Sequence, residues 1–109
     1  MKIFDLKSRL KDAEEVILGY EDTGSHACYL IYGVMAPKEK GRKLNPGTGH
    51  EELVLILKGQ VSLSGDMEGT VGEGQAIHLV GQQLCYMDNA TDEEVIYVIA
   101  GGHSEGGHH

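Results

Sequence analysis

The chain has 109 residues, a formal charge of −8 and 16 glycines, a length that suits one hydrophobic core and is too short for two. The negative charge argues against a nucleic-acid partner, which rewards clustered Lys and Arg. Apolar runs such as 53–57 and 95–100 fall far short of the ~18 residues of a membrane span.

The opening MKIFDLKSRL has no apolar h-region, so no signal peptide is expected and a cytoplasmic location is. Over 5–15, Leu6, Leu10 and Ala13 recur at spacings of four and three, which allows a short N-terminal helix. Beyond it, glycines punctuate apolar stretches in the manner of short strands joined by turns. Strands are expected at 16–20, 26–36, 60–64, 75–80, 83–87 and 93–100. The run Lys38-Glu39-Lys40-Gly41-Arg42-Lys43 holds four of the nine basic side chains and reads as a solvated loop. Cys28 and Cys85 are too few for a disulfide framework and read as reduced thiols on strands. Residues 1–101 form the expected domain, and the His- and Gly-rich 102–109 a flexible tail. No internal repeat is found.

The stretch GTGHEELVLILKG, 47–59, carries the chemistry. Bounded by glycines, 53–58 is short for a helix and ordinary for a strand. Side chains of a strand alternate, so His50, Glu52, Val54 and Ile56 share one face and Leu53, Leu55 and Leu57 the other. Both faces are apolar, so the inner one belongs to a core. The outer one needs cover, from the N-terminal segment or from a second copy, and a homodimer is expected. A carboxylate before Val54 and Ile56 is costly to desolvate unless it is protonated or paired.

Residues 74–89, GQAIHLVGQQLCYMDN, resemble the second motif of the cupin family, G-x5-P-x-G-x2-H-x3-N, with Gly74 and Asn89 in place. Val80, Gln82 and Cys85 stand where that motif has proline, glycine and a metal-binding histidine. The stretch 47–59 resembles the second half of the first cupin motif through Glu52 and Gly59. Its histidine places hold Asn45, Pro46, Gly47 and Thr48. The resemblance spans about 26–100 and implies an all-β, double-stranded β-helix, the jelly-roll cupin barrel of the RmlC-like group.

Cupin chemistry sets two histidines of one strand, a glutamate and a third histidine around a divalent metal. Here the glutamate remains and the three imidazoles do not. His50, Glu52 and Cys85 form a substitute set suited to Zn or Fe with open positions, and Ni or Mn are further candidates. The plainer alternative makes Cys85 a small buried hydrophobe, His50 a turn residue and Glu52 a carboxylate hydrogen-bonded across the barrel. The pocket expected inside the barrel is lined by His50, Glu52, Val54, Ile56 and Cys85. Two functions follow: binding of a small polar metabolite at a degenerate metal site, or metal-dependent enzymology of the oxidoreductase, dioxygenase or isomerase type. His78 reads as a hydrogen-bonded structural residue. The GxG of Gly72 and Gly74 precedes a strand and is no dinucleotide fingerprint. No GxSxG, CxxC, HExxH or P-loop is present, which leaves nucleophilic hydrolysis little support.

Overall fold

Among the described residues there are nine strands: β1 (Glu15–Leu18), β2 (Cys28–Met35), β3 (Arg42–Leu44), β4 (His50–Lys58), β5 (Gln60–Gly65), β6 (Gly69–Gly72), β7 (Ala76–Val80), β8 (Cys85–Asp88) and β9 (Val95–His103). They are seen in a computed structural model that describes residues 1–11 and 14–104. A five-stranded antiparallel sheet has the order β1-β2-β9-β4-β7, and a four-stranded one the order β3-β8-β5-β6. Strands pair within each sheet and not between them, so the two form a jelly-roll sandwich and not a hydrogen-bonded closed barrel.

The core lies between the sheets. The larger contributes Met35, Val54, Ile56, Leu79, Val95, Tyr97 and Ile99, and the smaller Leu44, Val61, Leu63, Val71, Cys85 and Met87. Period-two alternation puts them there: in β4 Glu52, Val54 and Ile56 are buried, while Leu53 and Leu57 are 53% and 45% exposed. Each large apolar side chain so buried contributes about 1.5–3 kcal/mol. The expected assignment of faces in β4 therefore holds.

The N-terminal segment departs from the helix expected over 5–15. It makes one 3-10 turn, Lys7–Arg9, and is extended again at Leu10; residues 12 and 13 lie outside the described residues. Asp5 closes that turn locally, accepting from the Ser8 amide at 3.2 Å, an alternative to helix propagation. The α-helical turn falls downstream, at α1 (Tyr20–Thr23) between β1 and β2. Arg9 pairs with Asp22 of α1 at 3.1 Å. β9 runs to His103, two residues past the expected domain boundary, pairing Gly102 with Cys28 and His103 with His50. Residues 105–109 of the expected tail lie outside the described residues. No helix among the described residues is long and apolar enough to cross a membrane.

Arg42 corrects the reading of 38–43 as solvated. Its side chain turns inward, bonding the Tyr97 hydroxyl at 2.7 Å, the Val34 carbonyl at 3.1 Å and Glu39 at 2.7 Å. The Tyr97 hydroxyl in turn donates to Glu15. One guanidinium thus ties β3 of the smaller sheet to β2 and β9 of the larger, the planar fork of arginine serving several acceptors at once. Burial first, then Glu15, raises the Tyr97 pKa far above the ordinary phenol range.

Candidate functional site

At one end of the larger sheet, where β2 and β4 begin and β9 ends, four functional side chains meet. Glu52 is 7% exposed, and its Oε2 accepts a hydrogen bond from the Tyr29 hydroxyl at 2.5 Å. Its other oxygen has no protein partner among the described residues. No buried side-chain oxygen among the described residues lacks a partner, so that atom keeps contact with solvent. His50 lies two residues earlier on the same face, its ring edge-on to Tyr29 with centroids 6.1 Å apart. His103, directly opposite His50 on β9, has its ring 5.1 Å from the His50 ring.

Tyr29 reaches Glu52 because of a glycine. Tyr29 and Gly101 are direct cross-strand partners, and a Cβ on Gly101 would lie 2.2 Å from the Tyr29 ring. The same device recurs four residues along with the strands exchanged: Tyr97 lies over its partner Gly33, where a Cβ would meet the ring at 2.3 Å. A ring filling the space over a strand glycine is the aromatic rescue of sheet design. Burial, and then the hydrogen bond and charge of Glu52, push the Tyr29 pKa well above the ordinary phenol range. Tyr29 is therefore a neutral donor and Glu52 its acceptor.

The other expected site residues lie deeper. Val54 and Ile56 are 1% exposed and Cys85 is 0% exposed, all within the apolar core cluster. Cys85 sits on β8, paired with Leu44 and Gly65. Among the described residues no group of three His, Cys, Asp or Glu side chains could hold a metal ion, so His50, Glu52 and Cys85 are not brought together as such a set. Thr48, at one of the cupin histidine places, accepts a hydrogen bond from Gln82 at 2.8 Å. A neutral hydroxyl thus stands there in place of an imidazole, and the cupin donor set does not fit this chain. Asn89, the residue closing the second motif, is fully buried and serves the backbone, bonding the carbonyls of Ala36 and Glu93 at 2.9 and 2.7 Å. His78 bonds Glu51 at 2.9 Å on the outer face. Beside that pair, Leu53 and Ala100 help line a groove of about 310 Å³ that Glu52 also borders.

Sequence reasoning missed Tyr29, Gly101 and His103. The available signal was the matched spacing Tyr29-x3-Gly33 and Tyr97-x3-Gly101, which two antiparallel strands convert into reciprocal Tyr–Gly pairs.

No family model matches the chain, and no curated protein does. Solved structures do. A cupin 2 conserved barrel domain protein of Salinispora arenicola superposes with a TM-score of 0.73 at 18% identity, over 95% of this chain and 90% of that one. An uncharacterised Klebsiella pneumoniae protein with a double-stranded β-helix domain gives 0.72 at 12%, over 98% and 94%. Peruvianin-I, a cysteine peptidase from Thevetia peruviana latex, gives 0.77 at 8%, over 93% and 71%. The fold is thus that of cupin-type double-stranded β-helix domains, as the two motif fragments implied. A peptidase on the same architecture shows how little the fold dictates chemistry.

Proposed function

We propose that this cupin-fold chain binds a small polar metabolite at the end of the sandwich, where the free oxygen of Glu52 receives a hydroxyl or ammonium group of the ligand. The observation that carries this reading is the state of Glu52: nearly buried, held by Tyr29 through one oxygen, and with the other open to solvent and without a protein partner among the described residues. A carboxylate with one oxygen anchored by a neutral phenol and the other facing solvent has an acceptor that a ligand donor can take over from water. Tyr29 orients the carboxylate, and the imidazoles of His50 and His103 offer further polar contacts. Val54, Ile56 and Cys85 belong to the packed core, which confines the ligand to the open end.

A thermal-shift series of small polyols, hydroxy acids and amines tests the reading. At least one compound is expected to raise the melting temperature of the wild type and to lose that effect in Glu52→Gln and Tyr29→Phe. A series in which every compound acts equally on the wild type and both variants would refute it.

A further inference from the structure

We infer that His50 and His103 form a two-histidine site for a borderline divalent transition ion, Zn²⁺, Ni²⁺ or Cu²⁺, at the rim of the sandwich. The two residues are direct cross-strand partners on β4 and β9, both at the centre of the larger sheet. Their backbones are fixed: the His50 amide donates to the Gly47 carbonyl at 3.1 Å, and the Ser104 amide to the Gly49 carbonyl at 2.8 Å. Among the described residues neither imidazole has a hydrogen-bond or ion-pair partner, so the ring nitrogens of both are free to ligate.

The separation of the rings fits one shared ion. With a Zn–N bond of about 2.0–2.1 Å and a ring centre roughly 1.1 Å behind its nitrogen, two imidazoles on a tetrahedral ion have centres about 5.2 Å apart. The observed separation is 5.1 Å. Imidazole selects Zn, Cu and Ni over Mg and Ca, which prefer oxygen, and a chain of net charge −8 enriches cations at its surface. No third His, Cys, Asp or Glu completes a cage among the described residues, so the remaining positions of the ion stay open to water or to a small ligand. These donors differ from the interior set the cupin motifs imply, and capture of an ion by them does not depend on a metabolite binding at Glu52.

The 109-residue chain carrying His108→Gln and His109→Gln, which removes two competing imidazoles, is titrated with Zn²⁺, with Mg²⁺ as control. One Zn²⁺ per chain is expected, with the imidazole proton resonances of His50 and His103 shifted and those of His26 and His78 unmoved. His50→Gln and His103→Gln are each expected to weaken uptake about tenfold or more, while His26→Gln and His78→Gln leave it unchanged. Uptake that survives either His50→Gln or His103→Gln would overturn the assignment, as would a parent chain whose His50 and His103 resonances ignore Zn²⁺. The resonance test needs no variant at the site, so a variant that fails to fold does not shield the assignment.

Discussion

At the level of single residues, two tyrosine–glycine pairs govern what the larger sheet can do. Gly101 leaves the space in which the Tyr29 ring lies, and Gly33 does the same for Tyr97. An added methyl in either place has no room without moving a ring. Gly101→Ala is expected to destabilise the fold by about 1–3 kcal/mol and to separate the Tyr29 hydroxyl from Glu52, which denaturant midpoints and the Tyr29 ring resonances would register. Unchanged midpoints and resonances would show that the ring position is not set by the glycine. The phenols give a second check. Of the five tyrosines, Tyr29 and Tyr97 have pKa values raised by burial and by a carboxylate partner. The folded state keeps protons that the unfolded chain releases above about pH 10, so this contribution to stability is complete below that pH and is lost as pH rises beyond it. Ultraviolet titration should therefore show two phenols that stay protonated in folded protein past the ordinary range and ionise on unfolding. Five phenols titrating together in the folded state would contradict the burial of both pairs.

At the level of elements, the sequence was most legible where periodicity was strong. β4 and β5 alternate cleanly, so their faces follow from side-chain spacing alone, and the inward set His50, Glu52, Val54 and Ile56 came with them. β3 and β6 were not legible: Arg42–Leu44 and Gly69–Gly72 are short and polar or glycine-rich, and they are strands because β8 and β5 offer edges to pair with. The partners of Glu52 were hidden for a related reason, since Tyr29 and His103 are 23 residues before it and at the far end of β9, brought close only by the β2–β9–β4 register. Arg42 was hidden by its company, three lysines that do face solvent. Replacing it separates the two kinds of basic residue: Arg42→Ala strands Glu39, Glu15 and Tyr97 around a lost cation and should cost about 2–3 kcal/mol, while Lys40→Ala and Lys43→Ala should change stability by less than about 0.5 kcal/mol. Equal effects of the three in urea denaturation would mean that the guanidinium does not tie the sheets together.

For the molecule as a whole, the two surfaces of the larger sheet have different fates. Its inner face is filled by the core. On the outer face, Lys7 and Leu10 of the N-terminal segment line one groove with Tyr32, Val34 and Ile96, while Leu53, Leu57 and Val80 stay 53%, 45% and 42% exposed. A second copy of the chain is the proposed cover for that remainder, because isolated exposed leucines are ordinary but a cluster on one sheet face is a binding surface. Light scattering at micromolar concentration should give twice the chain mass, and Leu53→Lys with Leu57→Lys should give the chain mass. A monomeric wild type would remove the proposal.

The ligand reading rests on where a small molecule lands, and resonance mapping decides that most directly. Backbone and side-chain spectra of the labelled protein, recorded as the compounds of the thermal-shift series are added, should show shifts concentrated at Tyr29, His50, Glu52, Gly101 and His103, abolished in Glu52→Gln. Shifts centred instead on Glu51, Leu53 and His78 of the outer groove, and retained in Glu52→Gln, would place binding on the other face of the sheet and contradict the account.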